Sequence, residues 1–418
     1  MPKSNKPKRV VLAYSGGLDT SVVTRWLVER GWDVICLYVD VGFADRESGL
    51  EERALAAGAE RLVISDAKDV FARSFIFPAM MAGALYEGRY PLATALARPL
   101  IAKLLVDVAR EEGATAIAHG CTGKGNDQVR FDVSVGALAP DLEILAPVRE
   151  WELTTRASEI VFARAHKIPI TVSEDKQYSV DENLWGRSIE AGELEDPWAE
   201  PKENVWEWTS SIEDAPDEPT YVEIGFERGV PVSLDGERLE PVDLILRMHE
   251  LAGKNGVGRI DMVENRLVGI KSRETYEAPA ALVLMEAHRA LESLTLSKQQ
   301  LRLKHRLMQD YADLIYDGLW FTSHHQDLAA FTRSMQRHVS GEVRIRLHKG
   351  NATVVGRQSP HSLYQLSLAT YDEGDIYDQT AALGFIHIWG LPVRVQAEAQ
   401  LLKQPGGPLQ VSAGTVSE

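Results

Sequence analysis

The chain of 418 residues has only two cysteines, Cys36 and Cys121. Neither stands in a C-x-x-C pair, so a disulfide framework and a zinc site are disfavoured, and two reduced thiols of a cytoplasmic protein are expected. No run of about 18 apolar residues occurs, so no membrane-spanning helix is expected. The N-terminal MPKSNKPKRV is basic but has no apolar stretch behind it, and it reads as a short disordered arm rather than a signal peptide. Positive charge is in deficit: 45 Lys and Arg stand against 61 Asp and Glu, a formal net charge of −16. Nucleic-acid binders need a basic surface to displace counterions, so the deficit argues against RNA or DNA as a partner. Internal repeats and low-complexity tracts are also missing. What remains is 44% hydrophobic and 25% charged, a globular composition, and the length calls for two or three domains.

Short apolar runs at Arg9–Tyr14, Asp33–Val39, Arg61–Ser65, Ala114–His119 and Glu143–Pro147 read as strands. Amphipathic stretches lie between them, at Ser21–Arg30 and Ala93–Glu112. Alternation of this kind implies a parallel sheet covered by helices on both faces, with ligands at the carboxyl ends of its strands. After about Ile170 the pattern changes. An acidic, Pro-rich stretch with Trp185, Trp198, Trp206 and Trp208 reads as a long ordered loop packed by its aromatics. Tyr221–Leu239 and Glu342–Gln358 read as hairpins turning at Asp235-Gly236 and Lys349-Gly350-Asn351. Pro241–Leu251 and Ala278–Asp313 read as helices. The expected domains are an α/β domain over 1–170, an α+β domain over 171–379, and a C-terminal segment over 380–418. That last segment is apolar for a chain end, which suggests docking on another subunit, and it finishes in a Gly/Pro/Ser tail.

AYSGGLDTS, Ala13–Ser21, follows the first strand and opens a helix. Helix N-termini carry unpaired N–H groups and roughly half a positive charge, and so attract anions. Glycines let the backbone approach a phosphate, and Ser15, Thr20 and Ser21 add hydroxyl donors. A Walker A loop is excluded because no lysine follows the glycines. The dinucleotide fingerprint is excluded because Gly16 and Gly17 are adjacent. The S-G-G-x-D-[ST]-S loop of the adenylating ATP pyrophosphatases fits every position. A helix capped by Asp19 or Thr20, with no ligand, would explain one polar residue and leave the rest idle. A loop without lysine suits cleavage between the α and β phosphates, in which pyrophosphate leaves into a cradle of N–H and hydroxyl donors with Mg²⁺. Asp19 would contact that metal or cap the helix.

HGCTGKGNDQVRF, His119–Phe131, follows another strand. Asp127 and Arg130 set opposite charges three residues apart at the ligand edge of the sheet. An α-amino acid presents an ammonium and a carboxylate, and arginine can hold a carboxylate by two bonds.

Together these motifs resemble the argininosuccinate synthase family of N-type ATP pyrophosphatases. The resemblance extends through YSVDENLWGRS, EDPWAEP, GVGRIDMVENRLVGIKSRETYE and VVGRQSPHSLY, from about Val10 to Val395. It implies a HUP-type (adenine nucleotide alpha hydrolase-like) nucleotide-binding domain, an α+β synthetase domain and a homotetramer built through the C-terminal segment. It also implies the substrates ATP, L-citrulline and L-aspartate, with Mg²⁺ accompanying the nucleotide and no separate metal site. By the same resemblance Ala13, Tyr14, Ser15, Gly16, Gly17, Leu18, Asp19, Thr20, Ser21, Val39 and Gly120 bind ATP. Thr122, Asn126 and Asp127 hold aspartate. Tyr90, Asn126, Arg130, Ser179, Ser188, Glu264 and Tyr276 hold citrulline, and Asp19, Asp127 and Arg130 carry the chemistry. Where the family often has serine after the threonine that follows Tyr90, this chain has Ala95, and Thr94 is the candidate for that citrulline contact. Where the family often has histidine before GVGR, this chain has Asn255, to which no role is assigned. The rival readings are a tRNA-modifying pyrophosphatase, which would need RNA contacts and a reactive cysteine, and a nucleotide-sensing module, which would not need Asp127, Arg130 and Glu264.

Overall fold

The apolar runs of the first half form one parallel sheet in the computed structural model of the protein, which describes residues 8–42, 49–169 and 178–403. The N-terminal arm, the boundary expected at 170/171 and the final tail lie outside the described residues. The strands are β1 (Lys8–Ala13), β2 (Trp32–Asp40), β3 (Arg61–Asp66), β4 (Ala116–Ala118) and β5 (Glu143–Leu145), in the order β3-β2-β1-β4-β5. Helices α1 (Leu18–Glu29), α2 (Leu50–Ala56), α3 (Lys68–Phe71), α4 (Phe77–Ala82), α5 (Ala93–Glu111), α6 (Asp127–Leu138) and α7 (Arg156–Ala165) fill the connections. Successive strand residues point to opposite faces, so each strand feeds two cores. Val11, Ile35 and Leu37 pack with Leu96 and Leu100 of α5 on one side. Val10, Leu12, Val34 and Cys36 pack with Val22, Val23 and Leu27 of α1 on the other. The strand order reverses beside β1. The loops after β1 and β4 therefore part there and leave a crevice at the strands' carboxyl ends.

The second half builds two antiparallel sheets from β6 (Ser179–Asn183), β7 (Gly186–Glu190), β8 (Thr220–Glu227), β9 (Val230–Leu234), β10 (Glu237–Arg238), β11 (Arg259–Asn265), β12 (Lys271–Glu277), β13 (Gly341–His348) and β14 (Asn351–Gln358). Their orders are β11-β12-β7-β6 and β10-β9-β8-β13-β14. Helices α8 (Pro241–Lys254), α9 (Pro279–Thr295), α10 (Lys298–Tyr316) and α11 (Ser323–Met335) complete this half. The single helix expected over Ala278–Asp313 is two, because Ser297 caps a new one by accepting the Gln300 N–H and Leu296 is extended. The stretch Tyr221–Leu239 turns twice, at Arg228-Gly229 and Asp235-Gly236, and so gives three strands. The Trp-rich stretch is not all loop. It contains the β6–β7 hairpin, whose Trp185 is buried and donates Nε1–H to the Pro91 carbonyl at 3.0 Å, whereas Trp198 is 94% exposed. Leu184 N–H, in the hairpin turn, donates to Val41 O at 2.8 Å. A Cβ on Gly42 would stand 2.7 Å from Leu184 N, so the approach needs glycine there. This bond sets the four-stranded sheet against the carboxyl end of β2.

The chain divides into two compact units, Met1–Leu363 and Tyr364–Glu418. The second holds α12 (Leu366–Ala369) and α13 (Ala381–Gln396). On α13, Leu383, Phe385, Ile386, Ile388, Trp389, Val393 and Val395 are 61–74% exposed. Among the described residues no helix is long and apolar enough to cross a membrane.

Candidate active site

The loop after β1 is shaped as an anion cradle. Gly16 has φ of +74°, and Leu50 Cδ2 and the Arg53 guanidinium pack where its side chain would be. Gly17 is the N-cap of α1 and receives no side-chain capping bond. Capping by Asp19 or Thr20 is therefore not the reason for these residues: both lie inside the first turn. Ser15 Oγ and Thr20 Oγ1 are 3.2 Å apart, and Ser21 Oγ donates to Gly17 O at 2.8 Å and meets Tyr14 OH at 3.0 Å. Ser15, Gly17 and Asp19 are exposed, so N–H groups, a hydroxyl and a carboxylate face outward together. Gly120, from the loop after β4, lies directly across: its Cβ would be 3.3 Å from Thr20 Cγ2. Ala13 ends β1 and Val39 lies near the end of β2, which places both at the same edge. Asp19 has an acidic neighbour. Burial, then the Asp19 charge and a hydrogen bond to it, push the Glu159 carboxyl on α7 up to about 8.

Asp127 and Arg130 open α6 and bond each other. Arg130 Nη1 donates to Asp127 Oδ1 at 2.9 Å, and Arg98 on α5 donates Nε–H and Nη2–H to Asp127 Oδ2 at 2.9 and 2.7 Å. Burial pushes the Asp127 carboxyl up, but the two guanidiniums outweigh it and hold it below its ordinary range. Arg130 is 3% exposed. Its Nε donates to Tyr316 O at 2.9 Å, its guanidinium lies 4.8 Å over the Tyr316 ring, and its Nη2 has no partner among the described residues. Asn126 is already engaged on both sides: Nδ2 donates to Tyr316 OH at 2.8 Å and Oδ1 accepts from Leu267 N–H at 2.9 Å. A substrate must take its remaining N–H or lone pair. Thr122 is exposed in the preceding turn.

The citrulline candidates from the second half share one face of the four-stranded sheet. In register, Tyr276 lies opposite Ser188, Ser188 opposite Asp181 and Ile260 opposite Tyr276. Counting by twos along the strands puts Ser179, Ser188, Glu264 and Tyr276 on that face. Glu264 is buried, with Oε2 accepting from Tyr276 OH at 2.7 Å and Oε1 from Tyr316 OH at 2.5 Å. Burial raises its carboxyl above the ordinary range, and the two phenols and Arg130 offset part of that rise. Arg266, two residues on, does not pair with Glu264; it bonds Glu274 and Glu190. Tyr90 stacks on Tyr276 with centroids 4.1 Å apart, and its hydroxyl accepts the Thr94 N–H at 2.9 Å. Thr94 is buried and its Oγ1 has no partner among the described residues.

The family model described as the arginosuccinate synthase N-terminal HUP domain matches residues 9–169, and that of the C-terminal domain matches residues 178–396. The chain belongs to the argininosuccinate synthase family. Among its relatives, the argininosuccinate synthase of Rubrobacter xylanophilus is 59% identical over 387 residues, covering 93% of this chain and 94% of that one. Those of Dehalococcoides mccartyi and Symbiobacterium thermophilum are 57% and 56% identical, covering 94% and 95% of this chain and 97% and 99% of theirs. The two family models leave 170–177 unmatched between them. Sequence reasoning missed Arg98 and Tyr316. Arg98 carried a signal, a charged residue one turn after Thr94 on a helix face that is otherwise apolar. Tyr316 carried a fainter one in the Asp317-Gly318 that follows it. Gly318 has φ of +76°, and its Cβ would be 2.8 Å from Arg130 Cα, so glycine lets the end of α10 approach α6.

Proposed function

We propose that this chain joins L-citrulline and L-aspartate into argininosuccinate at the expense of ATP. The citrulline ureido oxygen attacks the α-phosphorus, and pyrophosphate leaves into the Ser15–Ser21 cradle. The aspartate amine then attacks the ureido carbon of the citrullyl-adenylate, and AMP departs. The observation that carries the reading is the buried Arg130 Nη2, an unsatisfied cationic donor near the ionisable Glu264. A zwitterionic α-amino acid satisfies both, its carboxylate on Arg130 and its ammonium on Glu264. Ser179, Ser188, Tyr90, Tyr276, Thr94 and Asn126 would complete the citrulline wall, with Thr94 Oγ1 as the hydroxyl beside Ala95.

Thr122, Asn126 and Asp127 would receive aspartate. Asp127 is held ionised by two arginines, so it is a poor proton acceptor near neutral pH and is suited to orienting the amine. Acceleration then comes from positioning two bound reactants and stabilising the leaving group. Mg²⁺ keeps most of its waters and takes one or two carboxylates plus phosphate oxygens, which Asp19 with Glu159 beside it fits. When bound with ATP it would supply positive charge to the pyrophosphate that the loop's neutral donors lack. The tRNA-thiolating alternative is not favoured. Burial pushes the Cys36 thiol up to about 12, and burial with the Asp127 charge pushes Cys121 up as well, the reverse of a reactive thiolate. The exposed apolar residues of α13 support assembly into a homotetramer through 380–418, and the two free thiols support a cytoplasmic setting. Pyrophosphate release tests the reaction. It should need ATP and citrulline, and product should need aspartate as well. Release without citrulline, or none with it, would overturn the assignment.

A further inference from the structure

Arg98 is 15% exposed, and besides Asp127 its Nη2 bonds the Asp181 carboxylate on β6. Its guanidinium lies 6.0 Å from the centre of the Phe131 ring. It thereby joins three segments: α5, with Thr94 one turn earlier; α6, with Asp127 and Arg130; and β6, whose Asp181 is in register with Ser188.

Asp127 has two oxygens and stands between two guanidiniums. Oδ2 goes to Arg98 and Oδ1 to Arg130 Nη1, which leaves Arg130 Nη2 over. A carboxylate and a guanidinium favour two parallel bonds, and the Asp127 side chain is only 24% exposed. Released from Arg98, Asp127 Oδ2 would compete for Nη2 of the guanidinium that already holds Oδ1. The pair would then close on itself and consume the donor that a substrate carboxylate needs.

We propose that Arg98 is a positioning residue: by occupying one oxygen of Asp127 it keeps Arg130 Nη2 open for the citrulline carboxylate. The proposal rests on the citrulline assignment above. The charged and titratable groups around Asp127 are Arg98 from α5, Arg130 from α6, Cys121 from the loop after β4, and Asp181 from β6. Removing Arg98 takes away one of two cations and leaves the neighbouring Asp181 charge.

Citrulline is titrated calorimetrically into the full-length protein with a non-hydrolysable ATP analogue present. Arg98→Met should weaken binding by roughly 10- to 100-fold, as for loss of a buried charged contact. Adding Asp127→Asn to Arg98→Met should recover about tenfold, because a neutral amide competes poorly for Arg130. Loss of packing alone would give no such recovery. If Arg98→Met does not fold, Asp181→Asn, at a side chain 35% exposed, removes the second anchor and should weaken binding about threefold. Wild-type affinity in these variants, or no recovery in the double variant, overturns the proposal. Failure of the wild-type protein to bind citrulline overturns instead the reaction assignment on which it rests.

Discussion

The two glycines after β1 are adjacent yet make opposite predictions. Alanine at Gly16 must adopt φ of +74°, which costs an L-residue about 1–2 kcal/mol. Its methyl would also overlap Leu50 Cδ2, and Leu50 is 1% exposed within a packed core, so repacking adds about 1–3 kcal/mol. Gly16→Ala should therefore lower stability by about 2–5 kcal/mol and the melting temperature by roughly 5–10 °C. Gly17 has φ of −80°, and an added Cβ would lie 3.4 Å from Ser15 Oγ, an ordinary contact. Gly17→Ala should cost under about 1 kcal/mol of stability. Its methyl, however, would stand on the exposed N-terminus of α1, where the outer phosphates are expected. ATP affinity should fall by about 10- to 100-fold, or about 1.4–2.8 kcal/mol. Thermal unfolding and equilibrium titration with ATP separate the two effects. Undiminished ATP binding by Gly17→Ala would show that no phosphate comes close to this backbone, and the cradle assignment would fail.

Arg130→Ala should weaken citrulline binding by about 2–5 kcal/mol, read by titration; unchanged affinity would refute its role. Asp127→Asn should retain citrulline-dependent exchange between pyrophosphate and ATP while product formation collapses, and an equal loss of both would count against its place in the aspartate step. Glu264 must be ionised to pair with an ammonium, and its carboxyl is raised by burial. Citrulline affinity should accordingly decline as pH falls through a value above the ordinary carboxylate range, and Glu264→Gln should remove that limb. Glu277 is fully buried and accepts from Arg187, the Glu207, Trp208 and Thr209 N–H groups, and the Thr209 hydroxyl. Glu277→Ala should cost about 3–5 kcal/mol in chemical denaturation, and a loss within error would show that the site relaxes freely.

The parallel sheet was legible because each buried strand is a dense apolar run, and the cradle because its glycines and hydroxyls stand at fixed offsets. The β6–β7 and β11–β12 hairpins were not. Their strands mix polar residues such as Ser188, Glu264 and Tyr276 with apolar ones on one face and carry charged anchors such as Arg187, Arg273 and Glu277 on the other, so the apolar alternation that betrays a strand is diluted. The helical stretch over 68–82 was missed as well. It is buried on several sides by Phe71, Phe75, Ile76, Phe77 and Met80, and it widens into a π turn at Ala72–Ile76, so no single stripe shows. Asp127 and Arg130 could be found in sequence, but the bond of Asp127 Oδ2 to Arg98 could not, because it joins a distant helix.

Tyr276 and Ser188 stand on the face proposed for citrulline, while their chain neighbours Glu277 and Arg187 bond each other at 2.9 Å on the reverse side. Inserting or deleting a single residue in either strand would therefore exchange ligand contacts for fold anchors in one stroke. In lineages that keep this chemistry, these strands should keep their length, and gaps should collect in the connecting turns.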